Sequence, residues 1–384
     1  MSGPKCGHYS VVSAEELGRR RLYAAKDRFE RASAAVISYS LELNSVIQTY
    51  GPLDMSPLVR DVPSGDDAAE WESAASKLLE DLVAKRSALA ETVATARVRR
   101  FTEAARNVTA TLTEEAPRHR PVVEPTIVEA TVLRVLHRMP LTAAPELIAR
   151  SEELAEEALR LTGPQAQDRV LSALRFVVQR AQDRARLIEH NSGQIEMLHE
   201  RLDGLEGTEV ERVRGSLRAL QLDRSLPDDV ETRVTRVVES ALAGQDQRYV
   251  LTEAQAALAD LGYDVEPDFV TMVPHDGALL DLPHTSRHGV MIRARDHQLL
   301  VNVVRYDESG QRDPVADTAA EERFCEDFSR LRAALSSRGV DLEMLRSDAP
   351  GTTPIQVVRS APSRVRRQHQ KARPHAARTR EQPT

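Results

Sequence analysis

The chain has 384 residues, room for two or three domains, and a formal net charge of −7. Aromatic residues are 4% of it, charged residues 29% and hydrophobic residues 41%. That balance argues against a bulky single-core enzyme and for long amphipathic helices, which need good helix formers and few large rings. The expected fold is mainly α: a long coiled-coil or helical-hairpin body, then a small C-terminal α+β domain and a disordered basic tail.

Cys6 and Cys325 stand far apart without CxxC spacing. Neither a disulfide framework nor a zinc motif is implied, and a reducing compartment is suited. No stretch approaches the roughly 20 apolar residues that span a bilayer. The expectation is a cytoplasmic protein with no membrane association and no cofactor.

Residues 1–12 read as an extended leader, because Gly3, Pro4 and Gly7 forbid a regular helix. Ser13 and Glu16 then have the S-x-x-E spacing of a capping box, with Val12 and Leu17 placed for a hydrophobic staple. Exposed backbone in the leader suits β-addition to a partner, with Lys5, Tyr9 and Val11 as contacts; an ordinary frayed terminus is the plainer reading.

Residues 13–116 carry the clearest periodicity. Leu22, Phe29, Val36, Leu43 and Tyr50 recur every seven residues, with Ala25, Ala32, Tyr39 and Val46 three behind, the a/d seam of a coiled coil. Gly51-Pro52 ends the run. After a loop, Leu78, Leu82, Leu89 and Val93 form a second stripe, resumed at Val98 and Phe101 with shifted phase. Two such helices joined by a loop suggest an antiparallel hairpin.

A second helical region spans 126–245. Its longest seam includes Leu174, Ala181, Ile188, Ile195, Leu198, Leu202 and Leu205, interrupted by Arg184 and Asn191. A polar seam residue fixes register and partner number in an intermolecular coiled coil, so Asn191 is a candidate partner contact, and a homodimer is one arrangement. The alternative is a solvent-facing position beside Ser192-Gly193. Shorter helices follow, among them Val230 to Leu242.

Residues 250–360 change pattern. A helix from Thr252 to Leu261 precedes strand-like runs at Asp268–Val273, Gly289–Arg295 and Gln298–Tyr306, the last two separated by Asp296-His297 as a hairpin turn. Val290, Ile292 and Ala294 are expected to face the core. A helix over Thr318–Ser337, a strand from Val340 and an edge strand over Ile355–Val358 complete an α+β domain.

Possible chemistry gathers in the histidine loop. His284, His288 and Asp281 are weak metal-ligand candidates, and His275 with Asp276 an acid–base pair; a polar hairpin loop is the plainer reading. Cys325, beside Phe324 and Phe328, reads as a small buried residue. From Ala361 onward seven basic residues face one acid, Glu381, so the tail is net +6 and the rest −13. Arg364, Arg366, Arg367, Lys371 and Arg373 could neutralise nucleic-acid phosphates, while the missing aromatics favour partner docking or solubility.

The opening Met-Ser-Gly-Pro-Lys with Tyr9, followed by a charged helix, resembles uncharacterised bacterial coiled-coil proteins that begin the same way. The resemblance covers only those residues and carries over no activity. It implies a component of a bacterial multi-protein system, defence against phage or other genetic invaders among the candidates. Together these features point to a non-enzymatic scaffold or adaptor; the alternatives are a nucleic-acid-associated protein using the tail and a cryptic metal-dependent enzyme on the histidine loop.

Overall fold

A computed structural model describes residues 4–53, 55–113, 127–161, 163–283, 285–306 and 313–358. The chain divides into two compact units, one of Gly18–Ala241 and one combining Met1–Leu17 with Leu242–Thr384. The fold is mainly helical with one small sheet. The basic tail lies outside the described residues.

In the first unit, α1 (Ala14–Tyr50) and α2 (Ala68–Thr113) bury the stripes that their periodicity marks. Ala25, Phe29, Ala32, Val36 and Tyr39 of α1 are buried, as are Leu78, Leu82, Leu89 and Val93 of α2. The expected hairpin, however, is wrong. Arg21 pairs with Glu72 at 2.7 Å, Glu42 with Arg86 at 3.7 Å, and Arg97 Nε donates to Tyr50 Oη at 2.9 Å. Numbers rise together along both helices, so they run parallel.

The connection makes this possible. Gly51 to Asp67 carries Pro52, Pro57 and Pro63 and forms no helix or strand at its described positions. Extended chain gains about 3.3 Å per residue against about 1.5 Å in a helix, so it reaches back along α1. Leu58 packs against both small cores between the helices. Trp71 anchors the end of the return: its Nε1–H donates to the Gly65 carbonyl at 2.8 Å, and its ring meets Phe29 edge-on at 5.3 Å.

Helices α3 (Ile127–Leu136), α4 (Pro145–Arg160) and α5 (Pro164–Glu200) share a core with Phe101 of α2. Arg97, though buried, takes a seam position because its Nη1 donates to the carbonyls of Met139 and Pro140. The end of α5, α6 (Thr208–Arg218) and the start of α7 (Val230–Asp260) enclose a further core of Leu198, Leu202, Val213, Leu217 and Val234.

In the second unit the sheet order is β2-β3-β4-β1-β5, with β6 also on β4. The strands are β1 (Lys5–Val11), β2 (Ala278–Asp281), β3 (His288–Arg295), β4 (Gln298–Tyr306), β5 (Val340–Ser347) and β6 (Gln356–Val358). The leader is extended as expected, but its backbone is not free. As β1 it lies between β4 and β5, antiparallel to both, with Lys5 opposite Val301 on one side and Tyr9 opposite Leu342 on the other. Its docking partner is this chain's own sheet.

The β3–β4 hairpin turns at Asp296 (φ 50°) and His297 (φ 58°), two successive left-handed residues that match the strand twist. Val290, Ile292 and Ala294 face inward as expected. They pack with Val250, Leu251, Ala254 and Leu258 of α7 and with Phe324, Phe328, Leu331 and Leu335 of α9 (Pro314–Ser337).

Three local expectations are corrected. Asp268–Val273 is not a strand but contains α8 (Phe269–Met272), because its buried residues, Phe269 and Val273, are four apart and fit a helical face. The stretch at Ala278–Asp281, expected as loop, is β2. Helices expected at 230–242 and from Thr252 are one continuous α7, in which Thr252 Oγ1 bonds back to the Arg248 carbonyl instead of capping a new start.

Candidate functional site

The densest chemistry in the second unit follows one face of α9. Asp313 caps the helix by accepting from Ala316 N–H at 3.1 Å, and Pro314 fits its first turn. Asp317, Glu321, Cys325 and Phe328 then succeed one another at helical spacing, facing polar residues of β3, β4 and β1.

His288 is buried on β3, with Nε2 2.9 Å from Asp317 Oδ1. Arg305, opposite His288 in the β3–β4 register, donates from Nη1 to Asp317 Oδ2 at 2.8 Å. His288 Nδ1 lies 3.4 Å from Thr285 Oγ1. Hydroxyl, imidazole and carboxylate in line are the parts of a nucleophile, base and orienting acid. Here the Thr285 hydroxyl accepts from Arg287 N–H at 3.3 Å, and Asp317 is already neutralised by Arg305. The arrangement ties β3, β4 and α9 together.

The metal candidates do not converge. Asp281, on β2, accepts from Tyr306 Oη–H at 2.6 Å, whereas His288 turns to Asp317. His284 lies outside the described residues, and among the described residues no three His, Cys, Asp or Glu side chains form a metal-holding group. His275 and Asp276 are both exposed, and no hydrogen bond joins them.

Further along α9, buried Glu321 accepts from Gly351 N–H at 2.6 Å. Burial pushes its carboxyl up, the Gly351 N–H opposes that, and Asp317 adds to it. Cys325 Sγ receives Lys5 Nζ at 3.0 Å, and Nζ also sits 4.5 Å over the Phe328 ring.

The other leader candidates are also internal. Tyr9 is 2% exposed; burial first, then Asp246, push its phenol up to about 12, while a hydrogen bond with Gln247 opposes. Val11 is half-buried against the same core and pairs with Val340. Ser13 Oγ accepts from Glu16 N–H at 3.3 Å, as the capping spacing implies. Val12 and Leu17 remain exposed, so no buried staple forms.

In the helical unit Asn191 is neither a partner contact nor a solvent-facing kink. It is 2% exposed within an unbroken α5, and its Nδ2 donates to the carbonyls of Leu222 and Arg224, each at 2.7 Å. Arg184, the other polar interruption, pairs with Asp223 at 2.7 Å. Both hold the connection between α6 and α7. Arg364, Arg366, Arg367, Lys371 and Arg373 lie outside the described residues.

A second charged group that sequence reading misses joins α1, the end of α5 and α6. Arg31 pairs with Asp203 at 2.8 Å, and Arg214 with Asp27 at 2.8 Å. Asp27 also accepts from Gly204 N–H at 2.9 Å, where any Cβ would meet the Ala24 backbone. Comparison with family models, curated proteins and solved structures found no match.

Proposed function

We propose that this chain is a non-enzymatic coiled-coil scaffold or adaptor that binds protein partners, a second copy of itself first among them. The observation that carries the reading is on α1. One stripe of that helix is spent on α2, yet Ile37 and Leu41, adjacent at i and i+4, are 58% and 66% exposed elsewhere on it. An apolar pair of this kind is self-complementary when two copies lay the same face together about a two-fold axis. The engagement of His288 by Asp317 and of Asp281 by Tyr306 supports a structural use of both. Cys6 and Cys325 form no disulfide with each other, which suits the cytoplasm, and the MSGPK opening suggests a bacterial multi-protein setting such as phage defence.

Light scattering on the full chain tests the reading, with Ile37→Glu/Leu41→Glu beside it. A dimer that the double variant converts to a folded monomer is the expected result. A wild-type monomer across the micromolar range would remove the self-association claim.

A further inference from the structure

We infer that Lys5 and Cys325 form a redox-modification site, at which oxidation of the thiol ends in a covalent sulfur–nitrogen bond between β1 and α9. Lys5 Nζ already stands 3.0 Å from Cys325 Sγ. Lys5 is 4% exposed, and among the described residues its nitrogen meets only that sulfur and the face of Phe328. A buried ammonium is ordinarily held by a carboxylate, since removing it from water unpaired is unfavourable. Glu321, one turn before Cys325 on the same face of α9, accepts from Gly351 N–H instead. The lysine is thus directed at sulfur, and that placement needs a reason.

Cys325 is partly exposed, and the reaction requires a small oxidant to enter at its sulfur beside Lys5. With a peroxide as oxidant, the thiol and H2O2 give the sulfenic acid and water. Sulfur loses two electrons and the peroxide O–O bond takes them. The Lys5 ammonium then releases one proton, and its nitrogen attacks sulfur. The S–O bond breaks, and the hydroxyl leaves as water with a second proton from nitrogen: R–SOH + R′–NH3+ gives R–S–NH–R′ + H2O + H+. Sulfenic acids condense with nitrogen in this way, and a thiol reverses the linkage. The product pins the strand formed by the leader to the helix that covers it. Cys6 serves as an internal control, because it alternates to the other face of β1 and bonds Gln298 Oε1 at 3.4 Å.

The test is graded hydrogen peroxide on the full-length folded protein, then intact-mass measurement and tandem mass spectrometry of tryptic peptides. The expected product has lost two hydrogens, contains one peptide joining Lys5 to Cys325, escapes cleavage after Lys5, and reverts with dithiothreitol. Cys6→Ser leaves it unchanged. Cys325→Ser, Lys5→Arg and Lys5→Met abolish it, and in the lysine variants Cys325 proceeds to the sulfinic acid. Wild-type Cys325 that stays reduced, accumulates as sulfinic acid with Lys5 unmodified, or forms a disulfide with Cys6 overturns the proposal. If the lysine variants do not fold, the wild-type peptide map decides alone. The readout is covalent mass, so it does not depend on the scaffold reading.

Discussion

His199 and Asp203 stand four residues apart where α5 gives way to α6, and the fold moves their titrations in opposite directions. Burial first, then the charges of Arg31, Arg218 and Arg214, lower His199 from 6.5 to about 4. Burial first, with Asp27 and Glu196 adding and Arg31 and Arg214 opposing, raises Asp203 from 3.8 to about 7. For the histidine, the unfolded chain binds more protons between pH 4 and 6.5, so its contribution rises with pH and is lost on acidification. For the aspartate, the folded chain binds more protons between pH 4 and 7, so its contribution falls as pH rises. In the shared window the two slopes oppose each other. His199→Gln should therefore make stability fall from pH 4.5 to 6.5, and Asp203→Asn should make it rise, each by up to about 1.4 kcal/mol per pH unit. Urea unfolding at three pH values reads this, and equal slopes in both variants would contradict the assignment. Nothing in the sequence near residue 200 announces the pair. The shifts need Arg31 from α1 and Arg214 from α6, brought in by tertiary packing. Asn191 teaches the same lesson: its polarity in a seam was legible, but the carbonyls it serves were not.

Among elements, β1 was legible as extended chain and illegible as a sheet member. Gly3, Pro4 and Gly7 exclude helix from local chemistry, whereas register comes from backbone partners near Val301 and Leu342. Tight approaches record the insertion. Val12 N–H donates to the Gly339 carbonyl at 2.8 Å, and a Cβ on Gly339 would lie 2.5 Å from Ser13 Cα. Gly262 also has positive φ (+87° against +74° at Gly339), with open space around it. Both Gly→Ala substitutions should lose about 1–2 kcal/mol from the left-handed backbone, and Gly339→Ala should lose clearly more because Ser13 is in its way. Matching losses in chemical denaturation would mean that Ser13 does not approach Gly339. The parallel run of α1 and α2 had a legible signal that the hairpin reading passed over. A connection from Gly51 to Asp67 is long for antiparallel neighbours, which are commonly joined by 2–8 residues. At Asp268–Val273, β-rich composition suggested a strand, but the four-residue spacing of Phe269 and Val273 chose a turn of helix.

At the scale of the molecule, residues from both ends of the sequence make one unit: Met1–Leu17 and Leu242–Thr384 belong together. Composition and periodicity could separate helical from mixed regions, since both are local averages. They could not join segments more than two hundred residues apart, because no local pattern encodes which edge a lone strand completes. The consequence for function is concrete. The leader, which looks like a peptide waiting for a partner, is occupied within this chain's own sheet, and the proposed partner binding rests on α1 instead. A strand paired on both sides protects consecutive backbone amides, whereas an edge strand protects alternate ones. Native-state hydrogen exchange on the full chain therefore tests the account most directly. Slow exchange at every amide from Cys6 to Tyr9, comparable with Val301 on β4, is the result expected. Free-peptide rates across those residues, with β4 still protected, would show the leader hanging outside the sheet and contradict it.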